Sequence, residues 1–440
     1  MRQNNHKAII MSRASGGRVT YFQMAALFCY AVLFPGFVVY HYGVAAEWIP
    51  PFAGGLFGAA SIMTSLIGTV FLLFNYLSNG GSTSLIERAF PLFLIYLILW
   101  TLLAYIAIDG QIYATSAMKE SIATIVIWIA VFFIGAQLRL PSRGIGLVHT
   151  LLIIAVLACF IHAIASQGSF LGPYLTFSGE HGDNEVVATY QGIGRSIVVI
   201  AILATALSKR LFSQLTILGV ATAILVTLGS RSHLFVTALL LITHLTLFGL
   251  RKRNLPTGIV SILILLVAAY YAYSVVLETR AAEVFDLAQS ASWQARMAAH
   301  YEALDVIEAN PLIGNFGYHL GVSHGYAHNI LSVWTEYGLI GFLSFAGLML
   351  YALALSAHHV IFRRAFSPLW LIAFQLNFVA LFLALFTEPI MASVFPALGW
   401  GFTVQAIRAD QRNKALLLHQ LSVVQASHAD KSGTETPCVE

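Results

Sequence analysis

Residues 317–336 read GYHLGVSHGYAHNILSVWTE, a run that places His319, His324 and His328 between glycines and ends on Glu336. Imidazole titrates near neutral pH, so a histidine in such a run is suited to take a proton from a hydroxyl group as a general base. His328 and the adjacent Asn329 stand where an apolar helix begins, and helix starts collect anions through their free N–H groups. Asn329 also fits a helix cap. Four arginines accompany them: Arg195, Arg231 (between Ser230 and Ser232), Arg280 and Arg296, which shares a helical face with His300. A guanidinium stays protonated and offers a planar fork that matches phosphate oxygens. Each residue also has a plainer role. The arginines can reach lipid headgroups as membrane anchors, and His328 can be an interfacial histidine. His324 and His328 are four residues apart, but Gly325 interrupts helical spacing, and neither Cys nor a firmly placed carboxylate completes a ligand set. No metal and no cofactor are expected. Glu336 lies inside an apolar stretch and needs a partner; a structural hydrogen bond suits it better than catalysis.

The elements that must hold these groups are membrane helices. Of the 440 residues, 58% are hydrophobic and only 10% charged, against about 45–50% and 25% in soluble domains. The mean hydropathy is +0.80. That excludes a soluble multidomain enzyme as well as disordered and fibrous chains. Cys29, Cys159 and Cys438 have no spacing that speaks for a disulfide framework or a zinc site. A crossing needs about 20 apolar residues. Twelve candidate spans follow, near 21–43, 52–76, 90–108, 120–138, 145–166, 192–207, 211–229, 233–250, 256–277, 330–357, 366–387 and 390–407. An N-terminal arm (1–20) and a tail (408–440) flank them, and both are expected on the cytoplasmic side.

Lys and Arg concentrate on that side of a membrane. With the N-terminus inside, most of the 23 basic residues fall in inner segments. The exceptions are Lys119, Arg195, Arg231, Arg280 and Arg296. Both long connections, about 167–191 and 278–329, are then external, so the polar chemistry faces outward. Within the second, residues 292–309 repeat apolar groups at Trp293, Met297, Tyr301, Leu304 and Val306 or Ile307 with helical spacing, and Asn310-Pro311 stops the helix. Composition alone favours an amphipathic helix lying on the outer membrane surface, with Arg296 reaching lipid phosphates.

His328-Asn329, Glu336, Gly338 and Gly341 at the head of a span resemble the signature of the O-antigen ligase and polysaccharide polymerase superfamily. Arg296 through ANPLIG (309–314) and Ser230-Arg231-Ser232 resemble that family's loop and outer span end as well. The resemblance implies an all-α integral membrane protein of GT-C-like architecture, about 12 transmembrane helices with a large helical periplasmic loop between spans 9 and 10. It implies a bacterial inner-membrane glycosyltransferase, inverting and independent of metal. Such an enzyme moves a glycan from a polyprenyl-diphosphate carrier to a lipid-anchored or carrier-linked acceptor glycan. In that picture His328 and Arg231 are catalytic. Arg195, Arg296 and Arg280 hold the diphosphate, and Asn329, His324 and Glu336 support the site. Its partners are the two glycans and the bilayer, with no nucleic acid. A ligase is the first reading and a polymerase of the same superfamily the second. A secondary transporter is more distant, because the longest loop divides the chain unevenly and charges are nearly absent from the spans.

Overall fold

The computed structural model describes residues 21–45, 48, 54–78, 84–107, 114–139, 143–167, 190–228, 230–252, 291–320, 327–363, 367–387 and 393–432. Among these residues every regular element is helical. The α-helices are α1 (Tyr21–Ala31), α2 (Phe37–Ala45), α3 (Gly54–Ser78), α4 (Leu85–Ala107), α5 (Ala114–Gln137), α6 (Arg143–Gln167) and α7 (Tyr190–Leu207). They continue with α8 (Leu211–Thr227), α9 (Arg231–Lys252), α10 (Ala291–Ala309), α11 (Leu331–Ala357), α12 (Pro368–Phe386) and α13 (Phe395–Ser432). A π turn at Val32–Gly36 joins α1 to α2 around Pro35, whose missing N–H and bulky ring forbid a regular turn.

Among the described residues, seven helical stretches are long and apolar enough to cross a bilayer: Tyr21–Val44, Leu85–Ala107, Ala114–Gln137, Gly146–Ser166, Ser232–Gly249, Leu331–Phe362 and Pro368–Phe386. Gly58–Phe74, Gln191–Leu207 and Leu211–Thr227 are shorter apolar helices at the positions of three further expected spans. The chain is an all-α, multi-pass membrane protein. The expected ninth span, 256–277, lies outside the described residues. At the C-terminal end α13 runs unbroken to Ser432, past the expected end of the last span at residue 407 and on into the expected tail. Residues 409–432 contain neither Gly nor Pro and are rich in Ala, Leu, Gln and Lys, which are good helix formers.

Helix α5 lies at the centre of the bundle, packed on α13, α3, α4 and α1. Lipid is as apolar as a leucine side chain, so helices in a membrane are held by close packing rather than by burial from water. The α5–α13 crossing shows this. A Cβ on Gly135 would sit 2.4 Å from Leu398 O, and one on Gly401 would sit 2.4 Å from Phe132 O. Around the crossing, Phe90 stacks on Phe132 at 4.2 Å, and Trp128 stacks on Phe345 of α11 at 5.7 Å. Trp128 sends its indole N–H to Ser393 O at 2.9 Å. At its N-terminus α4 opens with a capping box, Ser84 and Glu87 bonding reciprocally.

Candidate functional site

A break in α11 organises the site. Gly338 has φ 66 and ψ −175, a conformation essentially closed to other residues. In a regular helix Leu339 N would donate to Thr335 O. Here Leu339 N donates instead to Leu312 O at 3.0 Å, and Thr335 O accepts from Asn315 N at 2.7 Å. The turn after α10 is thus inserted into the open helix and satisfies both freed groups, as an apolar environment requires. Trp334 Nε1 adds a bond to Pro311 O at 2.7 Å. From the other side, α4 supplies Trp100 Nε1 to Glu336 O at 3.0 Å and Tyr96 Oη to Tyr337 O at 2.6 Å. Gly314, at φ 68, is the matching glycine of the inserted turn: its Cβ would lie 2.4 Å from Thr335 O. Gly314 and Gly338 are therefore two halves of one joint.

The docked turn carries a charge network around the buried His319–Glu336 pair. His319 Nδ1–H donates to Glu336 Oε1 at 2.6 Å, and its Nε2–H donates to Glu120 Oε2 at 3.1 Å. The second oxygen of Glu336 accepts from Gly317 N at 2.8 Å. This supplies the partner that a carboxylate inside a span needs. Burial by itself would lower the His319 pKa, but the two carboxylate hydrogen bonds and their charges outweigh it and raise the group to about 9. His319 is an imidazolium at neutral pH. A raised histidine pKa contributes stability that is complete below its unfolded value near 6.5 and is lost as pH climbs through the folded value. The thermal unfolding midpoint should therefore fall between pH 6.5 and about 9, and His319→Gln should remove that slope. A wild-type profile as flat as the variant's over this window would contradict the network.

Helix α10 covers nearly the predicted range and ends at the predicted Asn310-Pro311 stop, and the face it packs on the loop is built on small residues. Ala299 and Ala303 are fully buried, and Ala303 and Val306 pack with Tyr318, Ala327 and Leu331. Tyr301 and Leu304, from the expected apolar stripe, are exposed. Small residues inside bring the helix close to the loop, which turns Arg296 and His300 toward 327–330. His300 Nδ1 accepts from Asn329 Nδ2 at 2.8 Å, and Asn329 Oδ1 accepts from Leu331 N at 2.9 Å, capping α11. His328, beside them, is half-buried. Burial first, and the Arg296 cation second, hold its pKa down at about 4, so its imidazole is neutral at pH 7.

Arg195 lies on the first turns of α7, next to the start of α9. There Ser230 Oγ bonds His233 Nδ1 at 2.8 Å, and His233 is within electrostatic reach of Arg195. Arg231 opens α9; its side chain lies outside the described residues, as do Arg280 and His324. Arg195 and Lys119 line an otherwise largely apolar cavity of about 480 Å³, walled by Phe34, Phe37, Ile62 and Ile127 among others. Lys119 precedes Glu120, the His319 partner, so the cavity and the docked loop meet at the first turns of α5. The sequence reading named His319 and Lys119 only as outward residues and missed Glu120. Their signal was a Lys-Glu pair at the head of an apolar span. Among the described residues no group of three His, Cys, Asp or Glu side chains is placed to hold a metal. The chain matches no protein-family model and no curated protein.

Proposed function

We propose that the chain is an O-antigen ligase-type glycosyltransferase of a bacterial inner membrane. It has twelve spans, both termini in the cytoplasm and its active site on the periplasmic side. The observation that carries this reading is the docked loop. His328, Asn329, Glu336, Gly338, Gly314 and Arg296, scattered through the resembling segments, serve one construction, built next to an apolar cavity flanked by cations.

A polyprenyl diphosphate is a long hydrocarbon with two phosphates at one end. The apolar cavity suits its first isoprene units, and the exposed Ile62 leads from the cavity toward lipid. Lys119 and Arg195 suit the diphosphate, together with Arg231, Arg296 and Arg280 in the roles the resemblance gives them. In the reaction an acceptor hydroxyl oxygen attacks the anomeric carbon from the face opposite the carrier. The new C–O bond forms as the bond to the diphosphate breaks, and the diphosphate keeps the electron pair. Fixed cations stabilise the charge that grows on it. The hydroxyl proton passes to neutral His328. A bound diphosphate also offsets the field of Arg296, which is the smaller of the two causes depressing His328, and so raises its basicity when substrate is present. No step draws on a metal.

A strain deleted for the gene tests the reading. Glycan chains should accumulate on the polyprenyl carrier and be missing from the acceptor. An unchanged distribution of carrier-linked and acceptor-linked glycan would overturn it.

A further inference from the structure

A second cavity, of about 240 Å³, lies at the far end of the bundle. Helix α5 runs from Glu120, beside the docked loop, to Gln137, which lines this cavity. That is about 25 Å at 1.5 Å per residue. Arg408 and Arg412, one helical turn apart on α13, line it together with Arg139 just past the end of α5. Gln23 and Asn413 add amide groups. The wall contains no acidic side chain. Arg408 pairs with Glu87, and Asp410 is turned away to Trp370 Nε1 at 3.0 Å. The Arg408 guanidinium also lies over the Phe71 ring at 5.5 Å, so Arg139 and Arg412 are the cations of this wall that no acidic side chain of the wall balances.

The plain reading, that arginine here serves the helix end, accounts for little. A helix C-terminus attracts cations through its free carbonyls. In α5 two of these carbonyls are already occupied: Gln405 Nε2 donates to Leu138 O at 2.8 Å and Gln137 Nε2 to Ala136 O at 3.0 Å. Arg412 lies on another helix, so the end of α5 does not account for its place in the wall. Convergent guanidinium forks with amide donors match the tetrahedral oxygens of phosphate.

We infer that the cavity formed by Arg139, Arg408 and Arg412 is a binding site for a phosphate-bearing anion, separate from the cavity flanked by Lys119 and Arg195. The same chemistry is presented by a phospholipid headgroup and by a soluble phosphate compound. Bound there, either would tie the end of α5 to α13 at the point where α13 leaves the bundle. This inference does not depend on the proposed function.

The test uses purified full-length protein and its thermal unfolding midpoint. One arm adds sodium pyrophosphate in detergent. The other compares nanodiscs of phosphatidylcholine with nanodiscs that also contain phosphatidylglycerol. A ligand that binds only the folded state raises the midpoint. The wild type should gain several degrees in at least one arm. The Arg139→Gln/Arg412→Gln variant should lose most of that gain, with apparent affinity at least about tenfold weaker, as expected when two charge-assisted contacts are removed. Arg210→Gln, an exposed position at the same end of the bundle but outside the cavity, should keep it. A gain with phosphatidylglycerol alone assigns a lipid headgroup, and a gain with pyrophosphate assigns a soluble phosphate. No gain in either arm overturns the site. So does an equal gain in wild type and double variant, or an equal loss in Arg210→Gln, which would mark diffuse surface charge.

Discussion

Gly338→Ala should detach the 310–320 segment from α11 and reduce glycan transfer by at least about 100-fold, the scale on which misplacing reacting groups by an ångström acts. Two costs combine. The backbone conformation at Gly338 costs a residue with a side chain about 1–3 kcal/mol. The new Cβ would in addition lie 2.4 Å from Leu312 O and 3.0 Å from Ile313 C, both backbone atoms that cannot swing aside. The helix can close only by expelling the turn, which would leave Asn315 N and Leu312 O without partners and remove Gly317 N–H and His319 from Glu336. Limited proteolysis should then cut the segment faster. Gly314→Ala breaks the same joint from the other side, so the double variant should be little worse than either single one. Gly347→Ala, whose Cβ would meet nothing within 4 Å, is the neutral control. Wild-type resistance to protease in Gly338→Ala would show that the joint does not hold the loop.

Much of this arrangement was legible in the sequence, because it rests on local signals. Asn310-Pro311 ended α10 where expected, and a carboxylate at Glu336 announced that a partner must exist. Other features depend on distance along the chain or on which face is packed closely. His319 and Glu120 are 199 residues apart, and no local pattern pairs them. Hydrophobic periodicity does not show which residues of α10 pack on the loop. Ala299 and Ala303 are buried for their small size, while the larger Tyr301 and Leu304 stay outside. The span boundary says nothing of where α13 stops, because polarity after Arg408 marks the end of an apolar stretch and not the end of a helix. Orientation read from Lys and Arg placed the chemistry at one end of the bundle. It gave no hint that Arg139, Arg408 and Arg412 would share a cavity at the other.

In the proposed reaction His328 takes the acceptor proton as glycan leaves the polyprenyl diphosphate. General base catalysis is worth about 10²–10⁴ in rate, and the neutral state this role needs is the one that burial and Arg296 impose. His328 is only half-buried, so His328→Ala should accumulate in membranes as the wild type does. The decisive measurement is the rate at which purified protein transfers glycan from the carrier to an acceptor, in the presence of a chelator, for wild type and His328→Ala at equal protein. The wild type should sustain transfer, and the variant should lose about 10²–10⁴ in rate. Transfer by His328→Ala at the wild-type rate, or no transfer by the wild type until a divalent ion is restored, would contradict the proposed reaction.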